Sequence, residues 1–337
     1  MITSSSKVFA KALMIASISL IGNACTTHAT TPGDQPIQDN SSHQNSTASP
    51  LESDKPVQMP SDPQTIPFEL KDNLVRIEVE VNGRKHSGVL DSGAGAILID
   101  RAVSGKLGLQ EGGSIGDAAG AGPEAKQLLP LTIANLVAGP LAFTDVPGYA
   151  LDLGQLSSSA QFPVDVLLGA PAFKYGAVSV DYARRKVTFG PSGSAEKCAA
   201  PIPMEVLHDA PVVDIDVWPI RDQPPIRLKV LVDLGTRHSA LVLGGSFVRS
   251  EVGKALIQGG ISKQIGHGVG GEVQGTVARV QEVRAGSTSF GALEVSLTSS
   301  TPAFEQGVID GTLGVPLWSG GVITFDYPRG QICITRQ

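Results

Sequence analysis

Apolar residues in this chain recur at every second position over short runs, the spacing of half-buried β-strands and not of helices. In Leu74-Val75-Arg76-Ile77-Glu78-Val79-Glu80-Val81 the residues Val75, Ile77, Val79 and Val81 alternate with charged neighbours, and the run leads through Asn82-Gly83 to Val89-Leu90. An Asn-Gly pair between such runs predicts a tight hairpin. A second run, Pro211-Val212-Val213-Asp214-Ile215-Asp216-Val217, leads through a longer loop to Leu228-Lys229-Val230-Leu231-Val232. Ile97-Leu98-Ile99 and Ala240-Leu241-Val242-Leu243 read as apolar strand-like runs, and 273–283 alternates like a strand. The pattern predicts an all-β chain of many short strands.

The two sets of strands belong to an internal repeat. Gly169-Ala170-Pro171-Ala172-Phe173, Gly176, then Val178-Ser179-Val180-Asp181-Tyr182 and Arg184 align with Gly314-Val315-Pro316-Leu317-Trp318, Gly321, then Ile323-Thr324-Phe325-Asp326-Tyr327 and Arg329. Six identities fall in register over 16 positions, where average residue usage gives about one. The hairpin runs precede these stations in the same order. Asp91 lies 78 residues before Gly169, and Asp233 lies 81 residues before Gly314. The halves span 66–195 and 196–337, and copies packed about a pseudo-two-fold axis bring the two Asp stations together.

Composition agrees with this reading. Charged residues make up 17% of the chain, and 39 Gly and 23 Pro favour turns and exclude a long coiled coil. A formal charge of −6, with no basic run longer than Arg184-Arg185-Lys186, argues against a nucleic-acid partner. The histidines lack metal-ligand spacing, so no metal site is expected. Gly266-His267-Gly268-Val269-Gly270-Gly271 fits a dinucleotide-binding pattern as a string, but a strand-like segment follows it, and no helix N-terminus is offered to a pyrophosphate. His238 and His267 read as solvated loop residues.

Each Asp follows an apolar run and precedes a Gly turn and another apolar run: Asp91-Ser92-Gly93-Ala94 and Asp233-Leu234-Gly235-Thr236. A carboxylate in such a place is costly to ionise without a partner or a task. With the stations Leu167-Leu168-Gly169 and Thr312-Leu313-Gly314 and the Asp-Tyr strand ending each half, 66–337 resembles aspartic peptidases of the retropepsin and pepsin type, in particular bacterial retropepsin-like proteins with two lobes in one chain. Asp152-Leu153-Gly154 lacks the flanking pattern, so the ordered repeat carries the resemblance.

The resemblance implies two pseudo-two-fold-related, β-barrel-like lobes with a cleft between them and Asp91 and Asp233 as the catalytic pair on its floor. It implies Ser92, Gly93, Gly235 and Thr236 as support, a water activated between the two Asp, no covalent intermediate and no cofactor. The Gly-rich stretches 116–122 and 266–271 correspond to flaps, with Gly120, Gly122, Gly268 and Gly270 as candidates. In the family a hydroxyl beside each Asp bonds across to the opposite loop. Ser92 supplies one and Leu234 cannot, so half of that grip is expected to be missing, while Thr236 can bond the outer oxygen of Asp233. Asp181 and Asp326 read as turn residues.

The first 25 residues read as an export signal: Lys7 and Lys11 precede the uncharged run 12–22, which is too short to span a membrane. Gly22-Asn23-Ala24-Cys25 resembles a lipoprotein lipobox, with Cys25 as the lipidated residue; plain cleavage after Ala24 or Ala29 is the other reading. Residues 26–65 are rich in Ser, Thr, Asn, Gln and Pro and are expected to form a disordered tether. Cys198 and Cys333 remain for the exported body, where a disulfide between them is allowed. The expectation is a monomeric envelope endopeptidase acting on peptide or protein, touching the membrane only through its lipid. The competing reading is a peptide-binding protein on the same scaffold that has lost hydrolysis.

Overall fold

Val75, Ile77, Val79 and Val81 are buried along one side of strand Leu74–Val81, while Glu78 and Glu80 face solvent. This is the alternation that a barrel wall requires. Asn82 and Gly83 turn with φ of 48° and 76° and start the partner strand Arg84–Leu90, with Val81 opposite Arg84. The structure, a computed structural model, describes residues 19–20, 57, 59–194, 198–299, 301–305 and 307–335. It is 50% strand and 13% helix.

Two closed six-stranded barrels form the lobes. In the first, Leu74–Val81, Arg84–Leu90, Val166–Leu168, Ile97–Asp100, Leu141–Leu151 and Leu129–Ala138 bond in that order, and the last returns to the first through Glu80↔Val137 and Val81↔Leu136. In the second, Ala210–Trp218, Ile226–Val232, Gly311–Leu313, Leu241–Leu243, Thr288–Leu297 and Gly271–Ala285 follow the same order and close through Val217↔Val283 and its neighbours. Pairs this distant in sequence carry no local signal, so closure is a tertiary outcome of strand twist and burial.

A third sheet draws on both lobes. Strand Ala177–Asp181 pairs antiparallel with Val322–Asp326, and Ser179 lies opposite Thr324. These two residues are equivalent in the repeat, each ten positions after its Gly. Their hydroxyls are 2.8 Å apart, and the pseudo-two-fold axis passes between them. Beside it Phe173 packs edge-on against Phe325 and stacks with Tyr327, so one apolar core runs through both lobes. Asp181 holds the Arg184 amide, and the buried Asp326 accepts from Ser192 Oγ and Gly193 N at 2.7 and 2.8 Å. Both serve turns.

The ends of the chain sharpen the expected boundaries. The strand Gln64–Pro67 edges the shared sheet by pairing with Lys186–Gly190, and Val57 is buried in the core. Of the stretch 26–65 expected as tether, Val57 is buried in the core and Gln64 and Thr65 belong to this edge strand, whose Ile66, just beyond the stretch, packs on the core. Cys25 and residues 26–56 lie outside the described residues, as does the expected export signal except for Ser19 and Leu20, which pair with Ala119 and Ala118. A disulfide joins Cys198 to Cys333, Cα atoms 5.8 Å apart, and ties the start of the second half to its last strand.

Candidate active site

Asp91 follows strand Arg84–Leu90 and Asp233 follows Ile226–Val232, each at the point where its chain leaves the barrel wall. The two turns are built alike. Asp91 N donates to Leu168 O and Asp233 N to Leu313 O, at 3.1 and 3.0 Å. Gly93 N donates to Asp91 Oδ1 at 2.9 Å, and Gly235 N to Asp233 Oδ1 at 2.7 Å. Behind each turn stands a station glycine. A Cβ at Gly169 would fall 2.2 Å from Ala94 O, and one at Gly314 would fall 2.2 Å from Ser239 O, so close backbone approach accounts for glycine at both places.

The turns meet at the axis. A Cβ on Gly235 would lie 2.9 Å from Asp91 Oδ2 and 3.1 Å from Asp233 Oδ1, which sets both carboxyls against one small residue. Asp91 is 2% exposed and Asp233 1%. Burial, reinforced by the neighbouring Asp91, holds the Asp233 carboxyl well above the usual range, although the Thr236 hydroxyl and the Gly235 amide favour its ionised form. Two carboxyls this close cannot both ionise readily and share one proton.

Support around the pair is unequal. Ser92 Oγ donates to Val232 O at 2.9 Å and accepts from Leu234 N at 3.0 Å, clasping the opposite loop. Leu234 is fully buried in the core and has no polar atom on its side chain to return the clasp. Thr236 Oγ1 donates to Asp233 Oδ2 at 2.6 Å and stands 3.2 Å from Thr312 Oγ1. Ala94, at the corresponding place, has no such group. Asp152, whose Oδ1 accepts from Gly154 N at 3.0 Å, makes the same local turn as the other two but no meeting of lobes. It opens the short helix Gly154–Ala160.

Above the dyad two glycine hairpins touch. Asp117–Ala119 pairs with Ala125–Gln127, and Ile261–Gly268 pairs with the start of Gly271–Ala285. Glu124 N donates to Gly270 O and Gly270 N to Ala121 O, both at 3.0 Å. Gly122 packs so closely that a Cβ would lie 2.3 Å from the Gly270 carbonyl carbon, and one on Gly268 would lie 2.3 Å from Ala121 O. Gly120 is buried just before this contact. The chamber beneath, about 80 Å³, is lined by Asp91, Gly235, Thr236, Ala121 and Val269 among others. That volume has room for water but not for a peptide, so a peptide would enter only when the hairpins part.

Three residues here carry no signal in the motif reading. Asp72 and Asn73, a turn with φ of 48° and 61°, reach from the first lobe to the loop after Asp233. Asn73 Nδ2 donates to Arg237 O at 2.9 Å, Asp72 Oδ2 lies 2.9 Å from Arg237 Nη1, and Asp72 Oδ1 lies 2.9 Å from His238 Nε2. His238 is the exposed loop residue expected, and its ring is tied across the cleft because the opposite turn supplies a carboxylate. His267, expected in a solvated loop, instead lies half-buried in the strand Ile261–Gly268 because the hairpin pairs it with Glu272, and it lines the cleft 3.3 Å from Gln264 Nε2. The Asp-Asn pair ahead of an alternating run is a positive-φ turn signal, but nothing local shows which loop it meets.

Residues 77–172 match the family described as aspartyl protease. The match takes in Asp91-Ser92-Gly93, Leu167-Leu168-Gly169 and the first-lobe glycine hairpin; the turn at Asp233 lies outside it and shares the geometry of the turn at Asp91. No curated protein matches the chain.

Proposed function

We propose that this chain is an aspartic endopeptidase that hydrolyses peptides in the bacterial cell envelope, exported, anchored through lipid on Cys25 and active as a monomer. One observation carries the reading: two buried carboxyls, brought from like turns of the two lobes, meet against Gly235 beneath paired glycine hairpins, and Asp91 opens on the chamber between. The ionised carboxylate draws a proton from a water held between the pair, and the protonated partner hydrogen-bonds the scissile carbonyl and polarises it. The oxygen of water attacks the carbonyl carbon. Collapse of the tetrahedral intermediate breaks the C–N bond as the amine takes up a proton from the dyad. Hairpin closure excludes bulk water while this happens.

The second reading is peptide binding without hydrolysis, and Leu234 favours it, since the clasp on the loop carrying Asp91 is absent. Incubating the full chain with a diverse peptide library from about pH 3 to 7.5, a span chosen for a shared-proton pair, separates the two. Cuts found by mass spectrometry that vanish in Asp91→Asn and in Asp233→Asn establish the peptidase. A folded chain that binds library peptides and cuts none establishes the binder. Incorporation of labelled fatty acid, lost on Cys25→Ser, tests the anchor.

A further inference from the structure

Beyond the dyad chamber the cleft opens into a larger cavity of about 750 Å³ under the second-lobe hairpin, and its charge is out of keeping with the molecule. Arg237, Lys263 and Arg279 line it against the carboxylate of Glu294, with Asp72 reaching Arg237 from beside it, in a chain of net charge −6. Among the described residues neither Lys263 nor Arg279 has an ion-pair partner, although Glu294 faces Arg279 in strand register. Cations left unpaired around a concavity raise the local concentration of anions.

Arg237 adds an independent observation. It lines both the chamber and the larger cavity, is 3% exposed, and bonds Ser159 Oγ through Nη2 at 2.7 Å. Nη1 faces Asp72 at 2.9 Å without hydrogen-bond alignment, and Nε has no partner. A buried guanidinium N–H without an acceptor is costly, and guanidinium is the group best shaped for a carboxylate.

We propose that this cavity is a subsite that reads a carboxylate on the peptide, an acidic side chain or the free C-terminus, through Arg237, Lys263 and Arg279. The inference rests on the reading that a peptide occupies the cleft, and it names the class of peptide preferred.

The test uses rhodamine-labelled peptides differing only by Glu or Gln at each position around a cut, each made with free and with amidated C-terminus. The expected result is a kcat/KM advantage of about tenfold or more for Glu, or for the free terminus, which names the source of the carboxylate. The advantage passes to Lys-containing peptides in Lys263→Glu/Arg279→Glu. Equal rates for Glu and Gln and for both termini, or a preference that survives the charge reversal, overturn the inference. If the chain cuts nothing the peptidase reading fails, and anisotropy then reads the subsite: binding about tenfold tighter for the carboxylate peptide supports it, and equal or absent binding overturns it.

Discussion

Ser92 of the first lobe holds Leu234 of the second, accepting its amide N–H at 3.0 Å while donating to Val232 O, and Leu234 gives nothing back through its side chain. The dyad is therefore clasped from one side. Each such bond contributes roughly 0.5–1.5 kcal/mol net, while a displacement of about 1 Å near reacting atoms costs about a hundredfold in rate. Ser92→Ala is expected to lower kcat/KM by about a hundredfold while Tm falls only modestly. A loss of rate no greater than the loss of folded protein would assign Ser92 to stability alone.

Leu234→Thr is expected to move activity and stability in opposite directions. The hydroxyl restores the missing clasp and raises kcat by about tenfold, the equivalent of one hydrogen bond. The lost methyl groups, in a fully buried place, cost roughly 1–3 kcal/mol of stability. Turnover and thermal unfolding on the same preparation check both signs.

Burial raises the Asp233 pKa above its unfolded value, which makes the native dyad a pH-dependent burden. Below the unfolded pKa of about 3.9 the group is protonated in both states and costs nothing. As pH rises from there towards the raised native pKa, the unfolded chain releases its proton more readily and stability falls. Asp233→Asn should therefore raise Tm near pH 7, abolish cutting, and lose its Tm advantage below about pH 4. An advantage constant with pH would contradict this account.

The Gly122 Cβ clash with the Gly270 backbone, together with a φ of +112°, predicts that Gly122→Ala holds the hairpins apart. Closure supplies water exclusion and positioning, so kcat/KM should drop by about a hundredfold. Both hairpins remain folded, which faster backbone hydrogen exchange at 121–124 and 268–271, with exchange elsewhere unchanged, would report.

Arg237 crosses between the lobes to Asp72. Burial draws its pKa below the ordinary value and Asp72 pulls it back. Asp72→Ala leaves the guanidinium without its carboxylate and should cost about 1–3 kcal/mol, less than a fully buried pair because Asp72 is partly exposed. Unfolding midpoints in urea read the difference, and Asp72→Glu should recover part of it.

What the sequence discloses and what it conceals divide along physical lines. The Asn82-Gly83 hairpin, the alternation of 74–81 and the duplicated Asp turns are local, and local chemistry suffices to find them. Residues that act through distant partners stay hidden. Asp72 meets Arg237 across 165 positions, and barrel closure joins Glu80 to Val137. Gln64 and Thr65 look like tether because a polar edge strand owes its order to a neighbour's open hydrogen bonds and one docked Ile. The absent hydroxyl at Leu234 is plain in sequence, whereas its burial in the core, which makes repair costly, is a matter of packing.

The pairing of Ser179 with Thr324 places like positions of the two halves face to face. A strand whose centre sits on a two-fold axis can pair with an identical copy of itself in the same register, so one half of the chain already carries the edge needed to form a symmetric dimer. Within one polypeptide the halves need not be alike. Leu234 beside Asp233 but Ser92 beside Asp91, and Thr236 but Ala94, are differences that two copies of a single gene product cannot hold.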